Sequence, residues 1–213
     1  MKGLFISGSG TDVGKTFIAS YLIQLLNNKY SVVVRKPIES DCIEKIDGLI
    51  PKDAVLLNNL CQNPEPIDTV CAFQFAACVS GEKASSEQGV TISLQDLIDA
   101  VQPKNKDDFV IIEGAGGIYS PIAQHLLNND LAVAIGLPIV LVVKDELGAI
   151  NQALLSIEAA KKHKLTIAML VLNQFDTNHL DNATALRAYT DVKVVVFNKD
   201  KLDAFNAKVL TLV

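Results

Sequence analysis

The chain has 213 residues, of which 49% are hydrophobic and 20% charged, and it carries a net charge of −5. This composition excludes a disordered chain and suits one domain, residues 1–213, with a substantial core. An acidic chain without a Lys/Arg cluster argues against nucleic-acid binding, and apolar runs as short as Pro138–Val143 cannot span a bilayer.

The first element is a short apolar run, Leu4, Phe5 and Ile6, read as a buried strand. It opens directly after Met1 and Lys2, which leaves no room for a signal peptide and points to the cytoplasm. Next comes Gly8-Ser9-Gly10-Thr11-Asp12-Val13-Gly14-Lys15-Thr16. Strand, glycine-rich turn and helix start together make a phosphate cradle. Backbone N–H groups and the positive helix end attract phosphate oxygens, the Lys15 ammonium reaches the terminal phosphates, and the Thr16 hydroxyl suits magnesium. The strict Walker A pattern wants glycine where Ser9 stands, with glycines on either side of it.

A helix follows from about Lys15 to Asn28, with Ile18, Tyr21, Leu22, Leu25 and Leu26 on one face. Val32–Val34 is a second strand, followed by Arg35-Lys36-Pro37-Ile38-Glu39-Ser40. Lys36 at that strand end is placed to point into the crevice that holds Lys15, where two lysines would stabilise charge on a transferred phosphoryl group; a solvated surface lysine is the plainer alternative. Asp53–Cys61 has helical spacing through Val55, Leu56 and Leu60, with Asp53 read from position alone as an N-cap or first-turn acid. Gln62–Gly89 is polar and irregular, an expected extended loop region. Leu94–Val101 is a short helix with Ser93 as N-cap and Pro103 beyond its end.

Phe109–Ile112 is a buried strand ending in Glu113-Gly114-Ala115-Gly116-Gly117. A carboxylate there is where a Walker B acid stands, and the glycines admit close approach of a ligand; a simple glycine turn with an exposed glutamate is the alternative. Ile139–Val143, Ile167–Leu172 and Val192–Phe197 are further strands, and Ala149–Lys162 is an amphipathic helix ending in a basic cluster. Asn173, after its strand, is placed to hydrogen-bond an adenine edge or simply to make a turn. The strands are continuous apolar runs, so the fold class is α/β: one P-loop NTPase-like domain with a mostly parallel central sheet and helices on both faces. Cys42, Cys61, Cys71 and Cys78 show no C-x-x-C spacing and read as thiols.

In order and spacing, these pieces resemble the dethiobiotin synthetase family over about the first four-fifths of the chain. The resemblance rests on Gly10–Thr16, Arg35–Ser40, Asp53-Ala54, Glu113–Gly117, Tyr119-Ser120-Pro121, Leu137–Val143, Leu147–Asn151 and Leu172-Asn173. It implies that 7,8-diaminononanoate, CO2 (or bicarbonate) and ATP give dethiobiotin, ADP and phosphate through a carbamate and a carbamic-phosphoric anhydride. It implies ATP contacts at Asp12, Val13, Gly14, Lys15, Thr16 and Phe17, with Asp53, Glu113, Gly114, Ala115, Gly116 and Asn173. It implies Mg2+ ligands at Thr16, Asp53 and Glu113, catalytic roles for Lys36, Lys15 and Thr11, and substrate contacts from Ser40, Thr11 and Lys36. It also implies a homodimer. The chain departs from the family at Ser9-Gly10, at Ser80-Gly81-Glu82 and at Phe197-Asn198-Lys199, and it has no tryptophan. A second reading is a regulatory dimeric ATPase of the partition or septum-placement type, which shares this fold. Such proteins place a second lysine early in the phosphate loop, where this chain has glycine.

Overall fold

Strand β1 (Lys2–Gly8) lies in the interior of a six-stranded, all-parallel sheet. The computed structural model describes residues 1–175 and 178–211. After β1 come α1 (Lys15–Leu26), β2 (Val32–Arg35), β3 (Ile38–Glu39), β4 (Ile43–Lys45), β5 (Gly48–Ile50) and α2 (Lys52–Asn58). The middle of the chain forms α3 (Ile67–Val70), β6 (Phe73–Gln74), α4 (Gly81–Glu87), α5 (Leu94–Ala100), β7 (Phe109–Gly117), β8 (Pro121–Ala123) and β9 (Leu126–Leu127). The remainder forms α6 (Asn128–Ile135), β10 (Ile139–Lys144), α7 (Ala149–Lys162), β11 (Ile167–Asn173), α8 (Asn182–Arg187), β12 (Val194–Phe197) and α9 (Leu202–Leu210).

The sheet order is β12-β11-β10-β1-β7-β2. Alternate residues of each strand feed opposite cores, as a sheet covered on both faces requires. Leu4 and Ile6 pack with Ile18, Leu22 and Leu26 of α1, Leu57 of α2 and Phe205 of α9. Phe5 between them packs on the other face, where Leu97 of α5, Leu131 of α6, Ile157 of α7 and Leu186 of α8 close the core. The chain passes from β1 to β2 on one side, and after β7 it crosses to β10 on the other side of β1, so a crevice opens beyond the carboxyl end of β1.

Several boundaries follow directly from local chemistry. Ser93 and Asp96 make a reciprocal capping box at the start of α5. Helix α7 runs Ala149–Lys162, and Lys161 and Lys162 complement its negative end. Other stretches differ from the sequence expectation. Strand β7 continues through Glu113 to Gly117, because the small residues let it track β1 as far as Gly8 across a shift in register. In α2 the inward face is Ala54 and Leu57, with Cys61 just beyond, while Leu56 is half exposed. Gln62–Gly89 is not an extended loop: it holds α3, β6 and α4, anchored by buried Val70, Phe75 and Ala84. These anchors are too sparse to give a periodic signal.

Candidate active site

The site starts at the turn between β1 and α1. Asp12 (φ 55°) and Gly14 (φ 92°) both take left-handed backbone, which turns successive N–H groups inward. Gly14 is required for a second reason: a Cβ there would stand 2.0 Å from Asn173 Nδ2. Asn173 in turn donates from Nδ2 to the Val13 carbonyl at 3.0 Å, so the end of β11 supports the loop from behind. Ser9 N donates to Val142 O at 2.9 Å and ties the loop to β10. Lys15 curls back and donates to Gly10 O at 2.8 Å. Burial lowers the Lys15 pKa, and the nearby Lys36 charge adds to this against the pull of Glu113.

In front of the loop is a cleft of about 560 Å³. Thr11, Asp12, Gly14, Lys15, Thr16, Lys36, Ser40, Asp53, Glu113, Ala115 and Gly116 all line it. Four other residues singled out from the sequence stand outside that lining. Val13 is buried under the loop. Phe17 is partly exposed and packs edge-on to Phe197 at 5.4 Å and against Phe175 at 6.1 Å. Gly114 faces Asn128, whose side chain leaves no space for a Cβ. Asn173 lies behind Gly14, with its Oδ1 buried and without a partner among the described residues.

A compact charged cluster forms the floor. Lys36 Nζ lies 2.5 Å from Glu113 Oε1 and 3.2 Å from Asp53 Oδ2. Thr16 Oγ1 donates to the same Glu113 oxygen at 2.9 Å. Glu113 is fully buried and its Oε2 has no partner among the described residues. Burial alone would lower the Lys36 pKa, yet the Glu113 and Asp53 carboxylates outweigh it and hold the ammonium above its ordinary value. The two lysines therefore differ: Lys36 is firmly charged by directly paired carboxylates, and Lys15 is a desolvated ammonium that donates to the Gly10 carbonyl, with the Glu113, Asp12 and Asp53 carboxylates acting from further away.

Glu39 is a member of this site that the sequence reading left without a role. Its Oε1 accepts from Asp53 N and its Oε2 from Ala54 N, each at 2.9 Å. Burial raises its pKa, against the pull of Lys36. Its sequence signal was only a glutamate in a strand-end segment, which also describes an exposed residue. A second lobe of about 340 Å³ continues the cleft past Thr11 and Ser40 towards Ser80, Gly81, Ser120 and Pro121. Ser120 Oγ accepts from Gly117 N at 2.8 Å and fixes the turn after β7. Cys42, Cys61 and Cys71 are buried thiols, and Cys78 is exposed on the wall shared by the two lobes.

Among the described residues no three His, Cys, Asp or Glu side chains are placed to hold a metal by themselves, and no helix is long and apolar enough to cross a membrane.

A family model described as "AAA domain" matches residues 2–197. The ATP-dependent dethiobiotin synthetase BioD of Ruthia magnifica subsp. Calyptogena magnifica is 54% identical over 209 residues, covering 98% of this chain and 97% of that protein. The protein of the same name from Vesicomyosocius okutanii subsp. Calyptogena okutanii (strain HA) is also 54% identical, over 98% of this chain and 95% of its own length. That of Anaeromyxobacter dehalogenans (strain 2CP-C) is 33% identical over 82% of this chain and 77% of its own length. Among solved structures, a ParA family ATPase from Chlorobium tepidum TLS superposes with a TM-score of 0.57 at 13% identity, over 99% of this chain and 89% of that one. A putative plasmid partition protein from Borrelia burgdorferi B31, bound to AMPPNP, gives 0.57 at 14% identity, over 99% and 90%. At that identity the likeness carries the fold alone.

Proposed function

The chain belongs to the ATP-dependent dethiobiotin synthetases, and from that premise we propose that it joins 7,8-diaminononanoate to CO2 and closes the ureido ring, releasing ADP and phosphate. The observation that carries this reading is the convergence of Lys36, Thr16, Asp53 and Glu113 in front of the phosphate loop.

In the proposed reaction one substrate amine adds to CO2 and loses a proton to give a carbamate. A carbamate oxygen then takes the γ-phosphoryl group of ATP, with the bond to the β-phosphate breaking. The second amine attacks the carbonyl carbon, the C–O bond to phosphate breaks, the amine's proton leaves with phosphate or to solvent, and the ring is closed. Carbamate and triphosphate are both anions, so their approach needs fixed positive charge. Lys36 supplies it between the reactants, and Lys15 supplies it on the phosphate side. The backbone of Asp12–Phe17 cradles the phosphates, and Glu113–Gly116 and Asn173 complete the nucleotide side. Thr11 and Ser40, on the wall shared by the two lobes, face the carbamate and the diamine.

Mg2+ fits the donor set. Thr16 Oγ1, Asp53 and Glu113 are hard oxygen donors, and the unpartnered Glu113 Oε2 can accept from a metal-bound water. Two carboxylates and one hydroxyl leave the remaining positions to water and phosphate oxygens, the usual arrangement for this ion. When bound, the ion would screen the phosphate charge. We also place the protein in the cytoplasm as a homodimer.

The test is ADP release from the purified protein. It should require ATP, the diamine and bicarbonate together. Hydrolysis independent of the diamine and stimulated by DNA or by lipid vesicles would overturn the reading in favour of a partition-type ATPase.

A further inference from the structure

We propose that Glu39 is a positioning residue for the reaction: it fixes the Asp53 carboxylate by gripping the first turn of α2 from the strand segment that carries Lys36. This rests on the reading of Asp53 as a magnesium ligand given above.

Helix α2 needs an outside group at its start. Its N-cap is Pro51, whose own side chain has no acceptor and makes no capping hydrogen bond. The donors left over at Asp53 and Ala54 each meet one oxygen of Glu39, at 2.9 Å. A single carboxylate thus satisfies two adjacent N–H groups, and its charge also suits the positive end of the helix. Glu39 is itself held. Its carbonyl accepts from Phe75 N at 2.9 Å and from Cys42 Sγ at 3.3 Å, and its residue pairs with Gln74 across β3 and β6. Its side chain is buried, so water cannot readily replace it as acceptor.

The consequence lies in which residues are joined. Lys36 and Glu39 sit three residues apart on one segment. Lys36 reaches the Asp53 carboxylate at 3.2 Å, while Glu39 takes the Asp53 backbone N–H. Asp53 is thereby held at two points, one on its side chain and one on its backbone. The Asp53 side chain is 43% exposed, so neighbouring packing alone does not hold it. The grip on the main chain sets where that carboxylate can reach.

The experiment is a double-mutant cycle read by calorimetric binding of a non-hydrolysable ATP analogue, in Mg2+ and in EDTA. Glu39→Gln and Glu39→Ala should each weaken the Mg2+-dependent affinity about tenfold, the scale on which groups that orient metal ligands act. Affinity in EDTA should stay within about twofold. In an Asp53→Ala background the same Glu39 substitution should add less than about twofold. Thermal unfolding of each variant, with Glu39→Gln as the milder change, verifies that folded protein is compared. Equal losses with and without Mg2+, or effects of Glu39 and Asp53 that simply add, overturn the proposal. If Asp53→Ala loses the Mg2+ dependence while both Glu39 variants keep it, this inference alone fails. If Asp53→Ala binds as the wild type does in Mg2+, the metal-ligand reading fails and takes the inference with it.

Discussion

The Lys36 ammonium stands between two carboxylates, 2.5 Å from Glu113 Oε1 and 3.2 Å from Asp53 Oδ2. Glu113 has no other cationic neighbour within ion-pairing distance among the described residues, and it is 1% exposed. Lys36 therefore both neutralises a buried charge and presents its own to the cleft. Lys36→Ala should lower kcat by about 10² or more, the range for deleting one preorganised donor. It should also lower stability by roughly 3–5 kcal/mol without ligand, because Glu113 is left buried and unpaired. Steady-state kinetics and denaturant unfolding check the two arms. Turnover within tenfold of wild type would remove Lys36 from the reaction.

Lys15 behaves oppositely. Its pKa is lowered, chiefly by burial, so the folded chain releases a proton that the unfolded chain still holds. Stability of the wild type then rises with pH between that lowered value and 10.5, the ordinary value. Below this window the buried ammonium is a cost. Lys15→Met should therefore stabilise the nucleotide-free protein at neutral pH, by about 1 kcal/mol. The advantage should shrink as pH approaches 10.5. With Mg2+ and an ATP analogue the order should reverse, since the variant loses phosphate binding and the stabilisation that comes with it. Urea unfolding across pH tests this; a variant less stable than wild type at neutral pH without nucleotide contradicts it.

The sequence makes the phosphate loop, the parallel sheet and the strand-end positions of Lys36 and Asn173 legible, because each is a local pattern tied to one strand end. Glu113 was legible as an acid but not as a strand residue, since the four small residues that follow it, Gly114 to Gly117, carry no strand propensity. The role of Glu39 was not legible at all. Its function depends on a contact between residues 39 and 53 across the β4–β5 hairpin, and nothing in the spacing fixes where that hairpin returns the chain. Helices α6, α8 and α9 were missed for a related reason. They bury few large residues each, such as Leu131, Leu186 and Phe205, so their faces are too thin to give a period.

Asn173 Nδ2 holds the Val13 carbonyl while its Oδ1 is buried without a partner among the described residues. Asn173 is fully buried behind Gly14, so an exocyclic amine of a base meets that oxygen only if the turn shifts on nucleotide binding, and the amide itself braces that turn. Asn173→Ala should raise KM for ATP about tenfold with kcat changed much less, and should narrow the preference for ATP over other nucleoside triphosphates. Competition assays with ATP and GTP measure it. An unchanged preference with a large fall in kcat would make Asn173 a loop support only.

The two carboxylates that flank Lys36 should part company in stability while agreeing in metal dependence. Asp53 is 43% exposed, so its ion pair with Lys36 is partly screened by solvent and contributes on the order of 0–1 kcal/mol. Glu113 is 1% exposed and accepts from both Lys36 and Thr16, so neutralising it leaves the Lys36 ammonium with the weaker partner in a dry setting. Asp53→Asn should thus unfold close to the wild type without metal, and Glu113→Gln should unfold at distinctly lower denaturant. Both should raise the half-saturating Mg2+ concentration for ADP formation about tenfold or more, since each removes a hard anionic donor. A Mg2+ titration of the initial rate at saturating ATP, beside urea unfolding of the same preparations, separates the two effects. If Glu113→Gln is destabilised but its Mg2+ titration is unchanged, the carboxylate serves only to hold Lys36. If Asp53→Asn alone shifts the titration, the ion sits on the exposed side of the cluster, against α2.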